Sequence, residues 1–185
     1  MKRSEINQSI REALDFLAEH RFLLPEWATW TPRMWGTHGE TCREIRDNAL
    51  GWDVTDFGKR NFAQEGLTLF TIRNGNPARD RKTYCEKIMF VREGQTTPIH
   101  FHWHKMEDII NRGGVDLCMK LWRADDKEGM TDAPCSFQID GITTTVRAGE
   151  VLRLRPGQSI TFEPYMYHTF WAEGGHCMAG EDSTV

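Results

Sequence analysis

His100 and His102 stand two residues apart in Gly94-Gln-Thr-Thr-Pro-Ile-His-Phe-His-Trp-His-Lys-Met-Glu-Asp-Ile-Ile-Asn-Arg-Gly113, and Glu107 follows five residues later. In a β-strand a spacing of two points both imidazoles to the same face of the sheet. A turn through Trp103, His104 and Lys105 would bring the next strand alongside, so that one hairpin supplies two imidazoles and a carboxylate to a metal ion. A His-x-His pair alone is a weak signal. The glutamate, the glycines on either side and the strand–turn–strand context make it a fairly specific one. A fourth ligand must come from another part of the sheet, and His168 in Pro164-Tyr-Met-Tyr-His168-Thr-Phe-Trp171 is the natural candidate. His104 sits where the chain must turn and His176 on a terminal strand, so both stand in reserve. His20 on a helix and His38 in a loop read as exposed.

Three imidazoles and one carboxylate suit Mn, Fe, Co, Ni or Zn, so ligand type narrows the metal without naming it. An octahedral ion held by four protein groups keeps two adjacent positions, enough to chelate a carbonyl oxygen and the hydroxyl beside it. That geometry invites chemistry on sugars or other hydroxy-carbonyl compounds. Two lysines add to the site. Lys87 shares its strand face with Cys85, Met89 and Val91, which predicts a cation near an apolar interior, where lysine needs a partner. The alternatives are an edge position or a misassigned face, or a lysine that hydrogen-bonds an anionic intermediate or has a depressed pKa. Lys105 lies in the expected hairpin turn, where a solvated lysine is an equal reading.

These residues need a sheet to position them, and the sequence predicts one. Short β-like runs punctuated by turn residues cover Leu67 to Ile72, Thr83 to Val91, Pro98 to Trp103 and Met106 to Asn111. Val115, Leu117, Met119 and Leu121 alternate with Asp116, Cys118, Lys120 and Trp122, and Leu152 and Leu154 with Arg153 and Arg155. Ile142 to Val146, Ser159 to Phe162, Tyr167 to Ala172 and a strand after Gly174 complete the series. Eight or more short strands separated by Gly and Pro predict an antiparallel sandwich or barrel. Before them, Ser4 is expected to cap a helix whose apolar stripe is Ile6, Ile10, Leu14 and Leu17, ending near Pro25. The segment around Trp27, Trp30 and Trp35 predicts a packed loop, and a short helix is expected from Glu44 to Ala49 with Gly51 as its cap.

The chain has 185 residues, and twenty-three basic against twenty-seven acidic side chains leave a formal net charge of -4. The length suits one domain with terminal elaborations, and the charge offers nothing to a nucleic acid. The N-terminus leads into no apolar run, so neither a secretory signal nor a membrane span is expected, and the reading is cytoplasmic. Five cysteines, at 42, 85, 118, 135 and 177, form no CxxC and are expected to be reduced.

Gly94-x5-His100-x-His102-x4-Glu107 followed by Gly113 resembles the first cupin motif, and Gly149 to Pro156-Gly157 with His168 resembles the second. Most cupins place that histidine soon after the Pro-x-Gly turn, whereas here it comes eleven residues after Gly157. The run Tyr84 to Gln95, followed by His100 to Gly114, is similar to the D-lyxose isomerase family of cupins, and the likeness extends from Met1 through Gly51–Gly58 to Val185. It implies a mainly β fold: a cupin jelly-roll barrel spanning 1–185, with 1–60 as a helical and loop extension packed on it. It implies His100, His102, Glu107 and His168 as ligands of a divalent metal, manganese serving best, with Co, Fe, Ni and Zn as alternatives. Lys87 and Lys105 fall on active-site positions of the family. Family members commonly continue past the position of Val185 with an acidic tail.

The activity implied is the interconversion of D-lyxose and D-xylulose, with D-mannose and D-fructose as a second pair, by proton transfer between C2 and C1 through a metal-stabilised cis-enediol. A hydride shift is the mechanistic alternative. A non-catalytic sugar-binding cupin and an Fe(II) cupin dioxygenase are the rival functions. The expected partner is a small sugar, without nucleic acid or membrane, and the tryptophan-rich segment predicts a homodimer.

Overall fold

In the computed structural model, which describes residues 1–185, three α-helices and two 3-10 turns precede eleven strands. The helices are α1 (Arg3–Glu19), α2 (Pro32–His38) and α3 (Arg43–Asp47). The strands are β1 (Gly51–Thr55), β2 (Leu67–Arg73), β3 (Tyr84–Val91), β4 (Glu107–Gly114), β5 (Leu117–Arg123), β6 (Cys135–Ile139), β7 (Ile142–Val146), β8 (Val151–Leu154), β9 (Ser159–Phe162), β10 (Met166–Ala172) and β11 (Cys177–Thr184). One sheet runs β1-β2-β3-β11-β4-β9-β6-β7 and the other β10-β5-β8, and neighbouring strands within each pair antiparallel. This is the mainly β, two-sheet arrangement that the alternating sequence predicts. No helix is long and apolar enough to cross a membrane.

The core lies between the sheets. Leu117, Met119 and Leu121 of β5 meet Met89 and Val91 of β3, Ile109 of β4 and Ile160 and Phe162 of β9, all essentially buried. Each such side chain contributes roughly 1.5–3 kcal/mol through removal from water. The opposite face of β2 and β3 presents Phe70 and Ile88 to Leu17 of α1, with Phe16, Phe22, Trp27 and Trp52 around them. The helix therefore covers the outside of the barrel.

Several local expectations need correction. Lys2, not Ser4, is the N-cap of α1, and the backbone N–H of Lys2 donates to Glu5 Oε2 at 2.5 Å. The helix stops at Glu19, well before Pro25, because Arg21 takes a left-handed conformation (φ 58°) and the Phe22 N–H donates to the Leu17 carbonyl. Its most buried positions are Ser9, Ala13 and Leu17, with Ile6, Ile10 and Leu14 only partly covered. Small residues let the helix approach the sheet closely. α3 begins and ends earlier than predicted, and Ala49 (φ 53°), not Gly51, supplies the left-handed turn after it. Strands β1 and β6 were not among the runs expected from periodicity.

The largest difference concerns Pro98 to Trp103, which forms no ladder with β4. Instead the segment lies along β10: the His100 N–H donates to the His168 carbonyl at 3.2 Å, and the His168 N–H returns to His100 at 2.9 Å. Pro98 has no N–H to give, and the pairing is carried by separate bridges, Thr96 with Trp171 and His100 with His168. The hairpin expected to carry three ligands is thus replaced by an extended segment facing a different strand.

Candidate metal centre

That segment changes how the candidate ligands meet. His100 and His168 are direct antiparallel partners, so their side chains project to the same face with ring centroids 4.3 Å apart. His102, two residues on, shares that face. One nitrogen from each of the three imidazoles lies within 4.8 Å of the others. Glu107 opens β4 beneath them, its Oε2 3.6 Å from His102 Nε2 and 3.3 Å from His168 Nε2. The three imidazoles therefore cluster, two from one extended segment and one from β10, and the Glu107 carboxylate on β4 lies beside His102 and His168.

Backbone carbonyls orient two of the rings. His100 Nδ1 lies 2.9 Å from the Pro98 carbonyl and His168 Nδ1 3.0 Å from that of Met166. With Nδ1 donating to a carbonyl, Nε2 is left as the bare acceptor, the tautomer that metal-bound histidines need. Phe162 stacks on His168 at 4.5 Å with an interplanar angle of 13°. His102 Nε2 and His168 Nε2 are buried and accept no hydrogen bond. Burial, reinforced by the positive charge that His168 would carry, pushes the His100 pKa down to about 4. Burial alone would raise the Glu107 carboxyl, but the adjacent His102 and His168 rings and the Lys105 ammonium outweigh it and hold the group well below the usual carboxylate range.

Lys105 reaches the centre through Glu107, and Lys87 is linked to it through Glu181. Lys105 is not a solvated turn residue: its Nζ donates to Glu107 Oε1 at 2.6 Å and to Glu181 Oε1 at 2.5 Å. Burial would lower its pKa, yet the two carboxylates raise it, which keeps the ammonium charged. Lys87 lies on the inner face of β3 and donates to the same Glu181 Oε1 at 2.7 Å. It is neither an edge residue nor on the wrong face.

Glu181 is the residue that sequence reasoning missed. It lies on β11 between β3 and β4, opposite Lys87 and Ile109, and is buried. Alternation offers the only signal: Cys177, Ala179, Glu181 and Ser183 share a face, and an acid in an otherwise small, inward series demands a cation. Of the reserve histidines, His104 is exposed, and His176 accepts the Glu93 N–H and packs against Phe16 and Phe90, away from the cluster. His20 is only partly exposed, its ring against Phe16, whereas His38 is exposed and stacks on Trp30.

The sequence profile of the D-lyxose isomerase family matches residues 1–185. The chain belongs to the D-lyxose isomerase family. A D-lyxose/D-mannose isomerase of Escherichia coli O157:H7 is 47% identical over 190 aligned positions, which take in 100% of this chain and 84% of that protein. One from Serratia proteamaculans is 46% identical and is matched over 83% of its length. Membership in the D-lyxose isomerase family makes the chain a sugar isomerase. Among solved structures, the L-ribose isomerase of Acinetobacter sp. DL28 in complex with L-ribose superposes with a TM-score of 0.63 at 15% identity, covering 100% of this chain and 81% of that one. The ligand-free L-ribose isomerase of Cellulomonas parahominis gives 0.62 at 16% identity, with 100% and 84% covered. At that identity the likeness is one of fold.

Proposed function

We propose that this member of the D-lyxose isomerase family interconverts D-lyxose and D-xylulose, and D-mannose and D-fructose, at a divalent metal held by His100, His102, Glu107 and His168. The observation that carries the reading is the pair of buried, unpartnered imidazole nitrogens facing Glu107 Oε2. Buried imidazole nitrogens left without partners beside a carboxylate are unfavourable in a dry site unless a cation or a shared proton joins them. Manganese is the first choice, with Co, Fe, Ni and Zn within reach of the same donors. When bound, the ion supplies Lewis acidity, drawing density from the sugar carbonyl and offsetting the charge that develops on O1 and O2.

The protein groups supply the proton chemistry. Glu181 Oε1 takes hydrogen bonds from Lys87, Lys105 and Ser183, while Oε2 takes none. That free oxygen is our candidate base. Removing the C2 proton sends its electron pair into a C1–C2 double bond and the carbonyl pair onto O1, which takes up a proton. Return of a proton to C1, with loss of one from O2, completes the ketose. Lys105, bonded to two carboxylates and charged, suits proton donation and stabilisation of the developing oxyanion more than proton abstraction. Lys87 shares that role and donates to the anchored oxygen of the base.

The same reading takes 1–185 as one cupin unit with 1–60 as its extension. It also places the protein in the cytoplasm as a homodimer. Five unpaired cysteines support the compartment, and the partly exposed Trp30 and Trp35 support a surface that pairs with a second copy. Sedimentation would measure the mass of the assembly, and a monomer at micromolar concentration would remove the dimer.

An aldose panel assayed with metal-stripped protein, restored with each divalent ion in turn, tests the function. D-lyxose and D-mannose should be turned over, with His102→Ala inactive. Undiminished turnover in that variant would remove the metal site from the reaction. In deuterated water, the enediol route incorporates solvent hydrogen at C1 or C2 of the product. Full retention of substrate hydrogen would select the hydride shift.

A further inference from the structure

Glu181 can serve as a base only if the correct oxygen faces the substrate. A carboxylate rotates about its last bond, and the two oxygens exchange unless donors distinguish them. Two lysines approach Oε1, Lys87 from β3 and Lys105 from the segment that leads into β4, but each is long and flexible, and both keep about a quarter of their side-chain surface exposed (24% and 23%). Ser183 is different. It is two residues along the same strand and therefore on the same face, it is buried, and its Oγ donates to Oε1 at 3.3 Å. Its backbone is fixed on both sides, by Cys85 of β3 and by Glu107 of β4.

We propose that Ser183 is a positioning residue, which marks Oε1 of Glu181 as the anchored oxygen and so presents Oε2 to the sugar. This rests on Glu181 being the base. A short side chain on a paired strand has little freedom to lose, so its bond sets a direction that the lysines alone do not. The role requires a hydroxyl donor at 183 and nothing from its bulk.

Four variants test this, each assayed with the metal-loaded enzyme on D-lyxose alongside metal content and thermal midpoint. Ser183→Ala should lower kcat about tenfold, the scale of one hydrogen bond to a charged group, with KM within about twofold. Ser183→Thr keeps the hydroxyl and should stay near wild type, whereas Ser183→Val has nearly the same shape without it and should match the alanine variant. This pair decides the matter even where alanine fails to fold. Equal loss in Thr and Val, unchanged kcat in Val, or a fall that tracks lost metal would overturn the assignment. Glu181→Gln is measured in parallel. Retained activity there removes the base itself, whereas an inactive Gln variant beside an unaffected Val variant removes Ser183 alone.

Discussion

Lys87 and Glu181, 94 positions apart in the chain, meet at 2.7 Å inside the barrel because β11 inserts between β3 and β4. The last strand thereby brings an acid to the two lysines and, through Lys105, to Glu107. A line of alternating charge then runs from Lys87 through Glu181 and Lys105 to the carboxylate beside the imidazoles. Each cation touches at least one acid, which is how four charged groups can lie in a half-buried space.

Glu181→Gln keeps the shape of that line and removes the proton acceptor. Its kcat should fall by about a hundredfold or more, the usual scale of a general base. Metal content should be unchanged, since no imidazole touches Glu181. Steady-state kinetics with elemental analysis checks both, and a variant that loses metal as well as rate would assign Glu181 to holding the ion.

The proposed ligands could be named from the sequence because the information behind them is local. His100 and His102 share a face through period-two geometry, and Glu107 and His168 sit in short, distinctive runs. The way they meet was not legible, because the partner of His100 is decided by strand order: local spacing suggests a hairpin with β4, whereas the segment lies along β10. Glu181 was hidden for the same reason: only the insertion of β11 beside β3 gives an inward acid its lysines. In α1 the apolar spacing named the helix but not its closest face, since Ser9 and Ala13 are buried for their small size. The left-handed residues Arg21 and Ala49 end helices where glycine is the expected signal, so those boundaries moved.

Phe162 links the core to the centre through its stack on His168. Phe162→Ala should cost about 3–5 kcal/mol of stability, as large-to-small changes in cores do, and should weaken metal binding by freeing the ring. Phe162→Leu keeps most of the volume and should cost about 1.5 kcal/mol or less. Urea unfolding and metal titration would measure the two effects. Lost stability with unaltered metal affinity would leave Phe162 as a core residue only.

The metal-free protein should lose stability in mild acid. The His100 pKa of about 4 lies below its ordinary value of 6.5, so the unfolded chain binds the proton more readily than the folded one. The stabilisation is complete above about pH 6.5 and disappears as pH falls through about 4, with an upper size of about 3 kcal/mol. The depressed Glu107 carboxyl acts in the same direction at lower pH. Urea midpoints at pH 7 and pH 4.5 should therefore differ less in His100→Gln than in wild type. Identical pH dependence in the two proteins would show that the imidazole is not the group responsible.

Removing the ion should be visible without any substrate. A ligand that binds only the folded state at a hundredfold excess over its Kd stabilises by about 2.7 kcal/mol. For a chain of this length that corresponds to roughly 5–10 °C in Tm. Chelator treatment should lower Tm by that order, and manganese should restore it. The increment should vanish in His168→Ala, because His168 both faces Glu107 and pairs with His100 through the backbone. His104→Ala and His176→Ala should keep the full increment, since neither ring lies in the cluster. An increment retained in His168→Ala, or lost in His104→Ala, would mean that the ion is held by a different set of side chains.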